Sequence, residues 1–139
     1  MFFILLATLF LAYANGANDN FKGVATLYGS GTTNYKKSLI YATLTTALGS
    51  MMALYLSSEL IIVFKGKGLV PDDVIKMQSF PLAVGIGTAL TVMSATFFNL
   101  PVSTTHALIG ALAGAGWVSS ETGIHWDVLS KAYFLPLVA

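Results

Sequence analysis

A chain of 139 residues with 55% hydrophobic and 9% charged side chains carries too few charges to solvate a globular surface of its size. This excludes an ordinary soluble domain and implies an integral membrane protein, whose long apolar segments then read as an all-α set of helices. The formal charge of +1 leaves no footprint for nucleic acid, and the absence of cysteine removes disulfide frameworks and thiolate metal sites.

The first apolar segment, residues 2–28, is long enough to cross a bilayer, which takes about 20 mostly apolar residues. Residues 1–14 have the length of a signal-peptide core. They lack a basic flank, however, and residues 15–20 make a poor small-residue cleavage site, so the segment reads as retained. Its centre is Asn15-Gly16-Ala17-Asn18-Asp19-Asn20. Asn and Gly lower helix propensity, and an aspartate near the midplane costs about 3 kcal/mol on insertion scales. Asp19 therefore needs a partner or a cavity. A helix broken at residues 15–20 supplies one: freed carbonyls and the amide oxygens of Asn15 and Asn18 join the Asp19 carboxylate around a small hard cation. Two alternatives stay open, direct neutralisation of Asp19 by Lys22 and an interfacial loop over residues 13–20.

Residues 39–64 supply 26 positions with only Glu59 charged, the clearest span in the chain. Lysines flank it on both sides, at Lys36 and Lys37 and at Lys65, Lys67 and Lys76, so the positive-inside rule gives no orientation. The stretch Lys65-Gly66-Lys67-Gly68 faintly resembles a phosphate loop but lacks its spacing and its hydroxyl residue. Residues 65–73 read as a solvated turn.

Residues 77–120 then run 44 positions without a formal charge. Within them, residues 81–98 and 103–118 make two apolar arms of 18 and 16 residues, which predict two tilted spans or one re-entrant hairpin. Between the arms stands Asn99-Leu100-Pro101-Val102-Ser103-Thr104-Thr105-His106. Pro101 cannot continue a helix from upstream but is tolerated just before a new one. Ser103, Thr104 and Thr105 thus fall on a helix's first turn, where unpaired N–H groups and the dipole favour an anion. His106 reads as a buried neutral imidazole bonded to a carbonyl, in preference to a proton relay. Gly110, Ala111, Gly114, Ala115 and Gly116 read as a surface for close helix packing. Residues 132–139 open another apolar run without a polar flank, which predicts a chain truncated inside a membrane segment.

Gly16-Ala17-Asn18-Asp19 after an apolar run, succeeded some eighty residues later by Pro101-Val102-Ser103-Thr104-Thr105-His106, resembles the inorganic phosphate transporter family of sodium- or proton-coupled symporters. The resemblance covers residues 6–117. It implies two inverted repeats, each with a broken first helix and a re-entrant hairpin, of which residues 1–139 match the first repeat only. A missing second repeat, or a second chain, is then an expected partner beside phosphate and the bilayer. The family's usual continuation, Val-Ala-Asn-Ala, is replaced here by Asn20-Phe21-Lys22-Gly23, which puts an ammonium where an asparagine is expected and leaves the coupling ion open.

The resemblance implies secondary, cation-coupled transport of inorganic phosphate, in the cell membrane and without a cofactor. Ser103, Thr104 and Thr105 are the substrate candidates, and Asn15, Asn18 and Asp19 the cation candidates. Asp19 is the metal ligand if sodium is the coupling ion, with Lys22 and His106 as candidate modulators. The chain has no arginine, in keeping with a carrier that must release the phosphate it binds. A permease for sulfate or another tetrahedral oxyanion is the rival within transport, and a helical membrane scaffold the rival outside it. An enzyme built on Thr104, His106 and Asp19 is disfavoured, because residues two apart on a helix diverge.

Overall fold

The computed structural model describes residues 1–56, 65–120 and 123–135. Residues 57–64 and 136–139 lie outside them, and with them Glu59, the end of the expected 39–64 span and half of the 132–139 run. Among the described residues the chain is all-α, apart from one isolated bridge between Lys67 and Val70. Helix α1 is Phe2–Asp19, succeeded by a single 3₁₀ turn at Lys22–Val24 and the short α2 at Ala25–Gly29. Helix α3 is Tyr35–Leu56, α4 Asp72–Lys76, α5 Ser79–Phe97 and α6 Thr104–Ser119. The final turn, α7 at Trp126–Val128, passes into a π-helical turn at Leu129–Phe134. Among the described residues three units are long and apolar enough to cross a membrane: Phe2–Gly29, Tyr35–Tyr55 and Ser79–Phe97. At 16 residues, α6 is shorter, about 24 Å at 1.5 Å per residue.

Helix α1 breaks later than its composition predicts. Residues 15–19 are helical, so they form neither a break nor an interfacial loop, and the chain leaves the helix at Asn20 and Phe21. Tertiary contacts pull it away there. The Asn20 amide donates to Thr43 Oγ1 at 3.1 Å and accepts from Thr46 Oγ1 at 2.9 Å, both on α3. The Phe21 ring stacks on Tyr35 at 5.2 Å. These contacts outweigh the weak helix propensity of Asn15 and Gly16, a difference of less than about 1 kcal/mol per residue.

Helix packing decides which ends of the chain meet. Helix α1 lies against α5 and α5 against α6. Gly85 of α5 sits opposite Ala7, Val92 packs with Ala14, and Thr96 meets Asn18. The constant offset of these pairs makes α1 and α5 parallel. Gly87 sits opposite Ala111, and Val92 also packs with Ala107, so α5 and α6 form an antiparallel hairpin. The C-terminal ends of α1 and α5 and the N-terminal end of α6 are therefore at one end of the bundle.

The stretch expected as a solvated turn is only half solvated. Lys65, Lys67, Asp72 and Asp73 are exposed, but Leu69, Val70 and Val74 are buried with Phe80, Ile109, Leu112 and Ile124 in the main apolar cluster. The small-residue stripe divides likewise. Gly110 and Gly114 face open space, whereas a Cβ on Gly116 would stand 2.6 Å from Val70 Cγ1 and 2.9 Å from Ile124 Cγ2. We expect Gly116→Ala to destabilise the fold by about 1–3 kcal/mol through overpacking, and Gly114→Ala to be neutral. Thermal unfolding of the two variants in detergent checks this; equal midpoints would mean that the loop does not seat on α6.

Candidate functional site

The end of α5 is built to turn the chain sharply. Asn99 adopts the left-handed conformation (φ 54°), which asparagine tolerates better than most residues. The Leu100 N–H then donates to the Ala95 carbonyl at 2.8 Å and the Asn99 N–H to Thr96 at 3.1 Å, the paired closure of a Schellman motif. Pro101 comes next, where no N–H is needed. Ser103 caps α6, its Oγ accepting from the His106 N–H at 3.3 Å. The hairpin tip thus folds as the proline and hydroxyl pattern predicts.

Against this tip stands the last turn of α1. An open cleft of about 500 Å³ lies between them, lined by Asn15, Asp19 and Lys22 on one side and Pro101, Val102, Ser103, Thr104 and Thr105 on the other. Sequence positions some eighty residues apart meet because α1 and α5 are parallel.

Lys22 forms the ion pair that the sequence left as one alternative. Its Nζ donates to Asp19 Oδ1 at 2.6 Å, Asn18 Oδ1 at 2.6 Å and the Val102 carbonyl at 3.0 Å. The pair is 43% and 34% exposed, so it faces the cleft. The Thr104 hydroxyl lies 2.8 Å from Asp19 Oδ2 and 2.7 Å from Asn15 Oδ1. A hydroxyl has one proton, so Thr104 satisfies both neighbours only with the Asn15 amide turned to donate. The carboxylate, as the charged acceptor, holds the stronger bond.

Asn18 has its orientation set from behind. Thr96 Oγ1 gives its proton to the Val92 carbonyl at 2.9 Å, and so can only accept from Asn18 Nδ2, also at 2.9 Å. The Asn18 amide oxygen is thereby left facing Lys22. Thr96 and the Val102 carbonyl complete the cluster, and no sequence signal marked either; Thr96 bonds back to its own helix just as Thr88 and Thr91 do, and only its added contact with Asn18 sets it apart.

The three hydroxyls play different parts. Ser103 caps α6, Thr104 is bonded to Asp19, and Thr105 is exposed with no hydrogen bond from its hydroxyl among the described residues. His106 departs from its expected burial. It is exposed and lies off the cleft lining, because α6 turns that face away from α1. Among the described residues no three His, Cys, Asp or Glu side chains cluster as a metal site, so a hard cation here would rest on one carboxylate and neutral oxygens.

Comparison with known proteins adds to this geometry. The sequence profile described as the phosphate transporter family matches residues 15–139. The sodium-dependent phosphate transporter 1 of Xenopus tropicalis is 29% identical, over 95% of this chain and 20% of that protein. The proteins of the same name from Homo sapiens and Mus musculus are each 28% identical with the same coverage. The chain spans about a fifth of the length of these curated relatives. No solved structure is a significant match.

Proposed function

Because this chain belongs to the phosphate transporter family, we propose that it supplies the phosphate-binding part of a secondary carrier that moves inorganic phosphate across the cell membrane by cation-coupled symport. In this reading residues 1–139 are the first of two inverted repeats, and α5 and α6 form a re-entrant hairpin whose tip receives the anion. The curated relatives are named as sodium-dependent, which makes sodium the first candidate for the coupling ion.

One observation carries the proposal: hydroxyls, free helix N–H groups and a paired ammonium border the same cleft. The Ser103 and Thr105 hydroxyls and the first N–H groups of α6 are neutral donors at the positive end of a helix dipole. Thr104 holds the tip against Asp19. A dehydrated anion inside a membrane is costly, so positive charge close by lowers the energy of loading. Thr104 and His106 do not meet as nucleophile and base, since Thr104 lines the cleft and His106 does not. The relatives are named as transporters, which supports reading the chain as part of a carrier and not of an enzyme.

The carboxylate on the wall bears on which oxyanion fits. Asp19 repels a fully deprotonated anion but accepts a hydrogen bond from one that keeps a proton, as phosphate does near neutral pH and sulfate does not. In proteoliposomes of the full-length protein, excess arsenate should inhibit uptake of labelled phosphate and excess sulfate should not. Equal inhibition by sulfate would favour a general oxyanion permease.

A further inference from the structure

Lys22 is the cation nearest to Asp19, and it belongs to the chain itself. Its ammonium has three N–H donors and uses all three, on Asn18 Oδ1, Asp19 Oδ1 and the Val102 carbonyl. Every one of these acceptors is an oxygen of the kind a hard monovalent ion selects. They come from two separate parts of the chain, the last turn of α1 and the hairpin tip. The Asn18 oxygen is aimed at this point by its bond to Thr96, and the second Asp19 oxygen is bonded to Thr104. A sodium ion does not fit the cluster as it stands. It would have to displace the ammonium, which is attached to the backbone only three residues beyond Asp19 and is therefore present at high effective concentration.

We propose that the Lys22 ammonium is a tethered cation that fills the oxygen cluster of Asn18, Asp19 and Val102, so that phosphate loads at this cleft without a sodium ion. The inference rests on the carrier reading and changes one part of it: the positive charge beside the anion is supplied by the protein. Any sodium that couples transport then binds outside this cluster and acts at a step other than phosphate loading. A simple ion pair would need only the Asp19 contact. The additional carbonyl and oriented amide make the surroundings of Lys22 a coordination shell.

The test uses purified full-length protein and two measurements. In the first, phosphate binding is compared in sodium chloride and choline chloride at equal ionic strength. The wild-type affinity should agree within about threefold, whereas Lys22→Asn should lose roughly tenfold or more in choline and regain it in sodium. The second, made without phosphate, counts bound radiolabelled sodium. Lys22→Asn should hold one ion more than wild type, and adding Asp19→Asn should remove it. Lys22→Met, which keeps the side-chain length, is run in parallel so that misfolding of one variant does not decide the result. A wild type whose phosphate affinity rises about tenfold with sodium overturns the proposal, as does equal sodium binding in wild type and in the folded Lys22 variants. Absence of phosphate binding in both salts would instead sink the carrier reading, and the sodium count would still decide the role of Lys22.

Discussion

Asp19→Asn is expected to lower phosphate uptake by about a hundredfold or more while leaving the protein inserted in the membrane. The carboxylate is the junction between the two sides of the cleft, with Oδ1 paired to the Lys22 ammonium at 2.6 Å and Oδ2 bonded to Thr104 at 2.8 Å. Hydrogen bonds to charged groups contribute about 1.5–3 kcal/mol each. An amide keeps one acceptor oxygen, loses the charge, and sets an NH₂ group against a donor. Losing roughly 3 kcal/mol of organisation corresponds to a hundredfold in an equilibrium constant. Insertion should not suffer, because removing a carboxylate from an apolar segment lowers the cost of placing it there. Uptake in proteoliposomes, normalised to inserted protein, is the measurement. Near-normal uptake would mean that the Asp19 cluster does not organise the site.

The tip of the hairpin was readable from residue types because its physics is local. Pro101 forbids one helix and permits the next, which puts Ser103 to Thr105 at a helix start, whereas the Ser103 cap and the left-handed Asn99 emerge only in the structure. The observed α6, Thr104–Ser119, starts where those signals place it. The end of α1 was not readable in the same way. Local propensity puts the break somewhere within residues 15–20, but Asn20 on α3 and Phe21 on Tyr35 hold it to the end of that stretch, and both are tertiary contacts. The 65–73 turn misleads for another reason. Its charges and glycines are real turn signals, yet Leu69 and Val70 between them are carried down onto α6, where Gly116 leaves the room.

For the site, chemistry was more legible than partnership. An aspartate in an apolar segment announces a need, and Lys22 was one of its visible solutions. That Asp19 and Thr104 meet across the bundle depends on the parallel packing of α1 and α5, which no motif records. His106 shows the limit from the other side. A histidine in an uncharged run reads as buried, but burial depends on which face of α6 meets α1, and Ala107 takes that place.

Among the hairpin hydroxyls, Thr104→Val is expected to weaken phosphate binding most, by roughly ten- to a hundredfold, the equivalent of one hydrogen bond to a charged group. Valine fills nearly the same volume, so packing is preserved while Asp19 Oδ2 loses its donor and the tip loses its bond to α1. Ser103→Ala should cost about tenfold, together with a drop in stability of about 1 kcal/mol, because the same oxygen caps α6. Thr105→Val is the cleanest probe of direct contact. Its hydroxyl has no internal partner among the described residues, so any loss of affinity there is a loss of contact with the anion and should leave thermal stability unchanged. The measurement is equilibrium binding of phosphate to purified full-length protein, with the unfolding midpoint of each variant recorded alongside. If Thr105→Val costs more than Thr104→Val, the anion sits on the outer edge of the tip, and Asp19 then acts on it only through the field of the Lys22 pair. Unchanged affinity in all three variants would remove the hairpin tip from the substrate site altogether.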